Sequence, residues 1–127
     1  AYNDNLPYWY ADQPSHLIIP YTLVSNDFRY LSGSGMDNSD AFFNSLRAAF
    51  DVLMREGEQQ PKLMSVGLHS RISGHPARAD AIERFLAYVR SVDGAWLCRR
   101  MDVAEHWRRQ FAPAANPADQ NGMSSSG

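Results

Sequence analysis

Three times in this chain a short apolar run is followed, across a turn, by a segment of helical periodicity, and that alternation constrains the fold more than any other feature. The runs are Leu17–Leu23 (LIIPYTL), residues 62–69 (KLMSVGLH) and Ala95–Arg99 (AWLCR). Each is too short for a stable helix and apolar enough for a buried strand. Strand, helix, strand, helix, strand, helix predicts right-handed crossovers and a parallel sheet, an α/β fold of three β-α units. Pro20 removes one ladder donor, so the first strand is expected at an edge or to break there.

The intervening segments carry helix signals. From Asp40 to Glu56, Phe42, Phe43, Leu46, Phe50, Leu53 and Met54 recur at steps of three and four, forming one apolar stripe. Asp37, Asn38 and Ser39 are each capable of capping this helix, and Gly57 is expected as its left-handed C-cap. Pro76 suits a first helical position, with Ile82, Phe85, Leu86 and Val89 as the apolar face and Asp93-Gly94 as the exit turn. Asp102 and Glu105 resemble a capping box for a last helix through Val103, Trp107 and Phe111. Residues 1–16 read as an aromatic loop and SRISGHP (70–76) as a strand exit loop. Residues 1–112 form the folded segment and 113–127, a polar Pro/Gly/Ser stretch, a disordered tail.

Composition excludes several classes. At 127 residues, 44% hydrophobic and 20% charged, the chain suits one globular domain. Its net charge of −2 leaves no footprint for nucleic acid or an anionic membrane, although residues 62–127 are mildly basic. The single Cys98 excludes an internal disulfide framework and suits a reducing compartment, so a cytoplasmic location is expected. No run approaches the roughly 20 apolar residues of a membrane span, and no signal peptide is recognisable. The chain starts at Ala1 without methionine, which raises the expectation of a fragment.

In a parallel α/β fold, functional side chains gather beyond the carboxyl ends of strands. His69 ends the second run and is a candidate acid, base or electrostatic stabiliser, the alternative being a packed or exposed histidine. Asn26 and Asp27 follow the first run at the same end; they serve either to bind a polar substrate or orient His69, or simply to make a turn. Asp4, Asn5, Tyr8, Trp9 and Tyr10 either line a pocket wall or pack on a neighbouring subunit. His69 and His75, six residues apart across a loop, lack metal-ligand spacing. Cys98 reads as a small buried hydrophobe, His106 as a polar-face residue of the last helix and His16 as a loop residue. There is no G-x-S-x-G elbow, phosphate loop or dinucleotide fingerprint.

Taken together, YNDNLPYW (2–9), IIPYTLVSNDFRY (18–30), AFFNSLRAAFDVLMREG (41–57), PKLMSVGLHSRISGHPAR (61–78) and the W-L-C-R-R-x-D-x-A-x-H-W run (96–107) resemble the polysaccharide deacetylase superfamily. The resemblance is to its carboxyl-terminal part, in the branch of cofactor-independent allantoinases and related peptidoglycan deacetylase-like proteins. It implies the carboxyl-terminal part of a deformed (β/α) barrel that hydrolyses C–N amide bonds. The leading activity is opening of the allantoin ring to allantoate; the alternatives are removal of N-acetyl groups from a glycan and a non-catalytic oligomerising or binding module. It also implies symmetric homo-oligomers and a cyclic amide or N-acetyl glycan as substrate.

The family's late leucine-histidine motif falls on Leu68 and His69, which makes His69 the expected catalytic residue. Asp4, Asn5, Trp9, Tyr21, Asn26, Asp27 and Arg71 form the candidate substrate-binding set. The family's early aspartate and His-x-x-x-His motifs, which supply the base and the metal ligands in deacetylases, are absent from this sequence and would lie upstream of Ala1. No metal ligand and no cofactor is therefore expected here, a divalent ion such as zinc being possible only with that missing half. Three strand-helix units cannot close a barrel, so the chain is expected to self-associate or to complement a longer partner.

Overall fold

Periodicity alone sets the largest helix pair. The computed structural model describes residues 6–31, 33 and 38–113. Helix α1 spans Ser39–Gly57 and α3 spans Pro76–Arg90, with a short α2 at Ser70–Ser73 between them. On α1, Phe42, Leu46 and Phe50 are buried at i, i+4 and i+8; on α3, Ala81, Phe85 and Val89 repeat the spacing, and the two stripes share one core with Ile72 and Tyr30. Phe50 meets Phe85 edge-on, with ring centroids 6.1 Å apart. Of the remaining stripe residues, Phe43, Met54 and Ile82 pack on this core while partly exposed.

The described residues divide into two compact units, one containing Pro20–Leu97 and the other Pro7–Ile19 with residues 98–113. In the first unit, α1 starts at Asn38, whose side chain accepts the Ala41 N–H at 2.9 Å. Gly57 differs from expectation: it ends the helix without a left-handed residue, because Glu58 continues in right-handed geometry with φ −63° and Gln59 donates its N–H to the Glu56 carbonyl. Pro76 opens α3 as expected, and Gly94, with φ +86°, supplies the turn after it.

The second unit contains a hairpin where a loop was expected. Strand β1, Tyr8–Tyr10, pairs antiparallel with β2, Gln13–Ile18, in the register Tyr8↔Ile18 and Trp9↔Leu17. Aromatic and β-branched side chains favour a pleated surface, and the Ala11-Asp12 turn lets the two runs meet. His16 thus lies on a strand. Helix α4, Arg100–Gln110, begins earlier than expected: Arg99 is the cap, and Asp102, third in the helix, accepts its backbone N–H at 2.8 Å. The same carboxylate binds the Arg99 guanidinium, and these bonds hold Asp102 down at about 2. Cys98 is half-buried, and burial pushes its thiol pKa up. His106 is exposed on α4.

Among the described residues the three expected strands do not pair with one another in a regular ladder. A strand exists only through its neighbours' hydrogen bonds. The first run contributes Leu17 and Ile18 to β2 and stops before Pro20, which has no N–H to give. The second run meets its neighbour at one parallel bridge, Asn26↔Gly67: Gly67 donates to the Ser25 carbonyl at 2.9 Å and Asp27 to the Gly67 carbonyl at 3.0 Å. Residues 95–99 carry no strand. Among the described residues no helix is long and apolar enough to cross a membrane.

Candidate active site

The bridge between Asn26 and Gly67 brings two titratable residues, Asp27 and His69, together. After it, one segment enters a 3-10 turn at Asp27–Tyr30 and the other enters α2 directly after His69. Asn26 caps the first turn, its Oδ1 accepting the Phe28 N–H at 2.9 Å. Tyr30 ends that turn and packs on Phe42, centroids 4.9 Å apart, which ties it to α1. Gly67 has a steric reason: a Cβ there would lie 2.4 Å from Asn26 Nδ2.

Asp27 has no exposed surface, yet it is satisfied on both oxygens. Its Oδ1 faces His69 Nδ1 at 2.7 Å. Its Oδ2 accepts the His69 backbone N–H at 2.7 Å and the Ser73 hydroxyl at 2.7 Å. Burial pushes the carboxyl pKa up, but the bonds from the His69 ring, the His69 backbone and Ser73 together outweigh it and hold Asp27 below the usual carboxylate range. An ionised carboxylate only accepts, so Nδ1 carries the proton and donates it. The ring's Nε2 is then the acceptor in the neutral imidazole. The His69 side chain is 41% exposed, and with Nδ1 turned to a buried oxygen the accessible edge is the one bearing Nε2.

Asn26, Asp27 and His69 are thus brought together. Tyr21 and Arg71 lie in the same unit, both exposed. Trp9 belongs to the other unit, where its indole N–H donates to the Phe111 carbonyl at 2.6 Å. Asp4 and Asn5 lie outside the described residues. Ser73 and Gly67 were not among the candidates. The histidine-to-serine spacing of four residues is the signal for Ser73, and it becomes readable only once 70–73 is a helical turn instead of a loop.

No three His, Cys, Asp or Glu side chains come together to hold a metal ion among the described residues. The dyad itself does not fit one: both Asp27 oxygens face hydrogen-bond donors, and His69 has a single nitrogen to offer.

No protein-family model matches the chain. A Schizosaccharomyces pombe protein described as "Putative polysaccharide deacetylase" is 40% identical over 117 residues, 84% of this chain and 37% of that protein. A probable polysaccharide deacetylase from Pseudomonas aeruginosa PAO1 superposes with a TM-score of 0.84 at 46% identity, over 89% of this chain and 39% of the other. Puue allantoinase does so with a TM-score of 0.84 at 45% identity, over 89% of this chain and 38% of its own. The chain belongs to the polysaccharide deacetylase superfamily. It corresponds to a carboxyl-terminal portion of the superfamily fold and spans less than two fifths of the length of these relatives.

Proposed function

We propose that this chain supplies the proton-donating side of an amide C–N hydrolysis, with His69 as the acid and Asp27 as its positioning partner. The observation that carries the reading is the buried Asp27 carboxylate 2.7 Å from Nδ1, which fixes one tautomer and leaves Nε2 at the accessible edge. Cleaving an amide requires water to add to the carbonyl carbon, the oxyanion to be stabilised, and the departing nitrogen to take up a proton as the C–N bond breaks. Nε2–H of the protonated ring fits the last step: the bond's electron pair passes to nitrogen, which takes the proton, and Asp27 balances the charge of the ring beforehand. The acceptor for the attacking water's proton is expected from the early aspartate motif that this sequence lacks.

Allantoin is the leading substrate and an N-acetyl glycan the second, since one structural relative is named an allantoinase and the others polysaccharide deacetylases. Both are amides, and both need the same proton. The test is hydrolysis of each by a complete protein that joins this chain to the early aspartate motif, with and without chelator, and with its mass in solution recorded because the resemblance implies a homo-oligomer. Chelator-insensitive opening of allantoin, reduced about 10²–10⁴-fold in a folded His69→Ala variant, is the expected result. Turnover of the glycan that chelation abolishes would favour the metal-dependent alternative. A folded complete protein that turns over neither would favour a non-catalytic module.

A further inference from the structure

Resting on that reading of His69, we propose that Ser73 is a positioning residue of the site: its hydroxyl locks the rotation of the Asp27 carboxylate, and through it the tautomer and direction of the His69 ring. The torsion that turns a carboxylate about its Cβ–Cγ bond is broad and nearly two-fold, so burial alone does not set it. Two donors on Oδ2 do: the His69 N–H, fixed to the backbone, and the Ser73 hydroxyl, each at 2.7 Å. With only the backbone N–H on that oxygen, the plane of the carboxylate is held at one point instead of two. The plane presented to Nδ1 would then be set by the exposed ring instead of setting it.

The hydroxyl's direction is a choice between partners. A helical serine commonly bonds back to the carbonyl four residues before it. Here that carbonyl belongs to His69, and it already receives the N–H groups of Ile72 and Ser73 at 2.8 and 2.9 Å. The hydroxyl turns to Asp27, and Ser73 as a residue is buried, 9% exposed. The turn that carries it is closed tightly behind it. Gly74 donates to the Ser70 carbonyl at 2.9 Å, and a Cβ on Gly74 would lie 2.2 Å from that oxygen, a backbone atom that no rotamer can move aside. Ser73 is therefore placed by the backbone, which a residue that aims another must be.

The test follows the ring, not only the rate. In the full chain, imidazole ¹⁵N–¹H correlations report the His69 tautomer. The wild type is expected in the Nδ1–H form, Ser73→Ala in a mixture of both, and Ser73→Cys, a weaker donor of similar size, in between. On whichever of allantoin or an N-acetyl glycan the wild type hydrolyses, Ser73→Ala is expected to lose roughly ten- to a hundredfold in kcat with KM changed less than about twofold. Ser73→Thr, which keeps the hydroxyl, is expected to recover most of it. Wild-type tautomer populations in the alanine variant, or in the cysteine variant should alanine not fold, overturn the proposal. A shifted tautomer in a complete protein with no amide turnover supports it and refutes the catalytic reading instead.

Discussion

Replacing Asp27 by asparagine tests whether the buried carboxylate is the organising charge of this unit. The substitution keeps the shape but presents an amide N–H₂ to groups that are themselves donors. Three bonds are at stake: the His69 backbone N–H, the His69 ring and the Ser73 hydroxyl, all at 2.7 Å. Hydrogen bonds to a charged group contribute about 1.5–3 kcal/mol each. Their plain sum overstates the cost, because the ring is 41% exposed and regains water, and because the asparagine oxygen still accepts one donor. A net loss of about 2–4 kcal/mol is expected from urea unfolding at pH 7, with the denaturant slope unchanged. The pH dependence gives the sharper check. Asp27 has its folded pKa below the unfolded value, so its ionisation stabilises the fold fully above about pH 4 and progressively less as pH falls through the folded pKa. The difference between wild type and Asp27→Asn should therefore shrink below about pH 4. A difference under about 0.5 kcal/mol, or one that stays flat down to about pH 3, would falsify the assignment of Asp27 as an ionised, hydrogen-bonded anchor.

Two further substitutions probe what holds that anchor. Gly67→Ala places a methyl 2.4 Å from Asn26 Nδ2 and is expected to lower stability by about 1–3 kcal/mol in thermal unfolding; the loss should be smaller in an Asn26→Ala background, and equal losses in both would refute the steric account. Phe42→Ala empties a core site that is 1% exposed and packed on Tyr30, so a loss of about 3–5 kcal/mol is expected; a loss below about 1 kcal/mol would mean that α1 does not seat the turn carrying Asp27.

The helices were legible because their information is local. The stripes of α1 and α3 need only a period of 3.6 and an apolar side, and Pro76 and Asn38 mark their starts in the expected places. The strands were not, because pairing is a property of two segments and not of one. The aromatic run at Tyr8–Tyr10 finds a partner and becomes a strand, while the apolar run at 62–69 meets its neighbour at one bridge. His69 and Asp27 were legible as residues at the same topological end, but the hydrogen bonds that distinguish an orienting carboxylate from a turn residue come from 42 positions apart in sequence. Ser73 was hidden by one misread turn: as loop, 70–76 carries no phase, and as α2 it returns every fourth residue to the same side.

The bridge at Asn26 and Gly67 also sets the order in which the unit can be assembled. Closing a flexible segment of about 40 residues costs roughly 3 kcal/mol in chain entropy beyond the constant term, and one bridge returns less than that. The imidazole and the carboxylate, whose bonds return about as much as that closure costs, are therefore expected to stay together only once α1, which lies between them in sequence, has settled on α3. The ring of His69 is in consequence a late reporter in refolding: its resonance should take its native position with the burial of Phe42 and Phe85, after the helices have acquired their backbone signal.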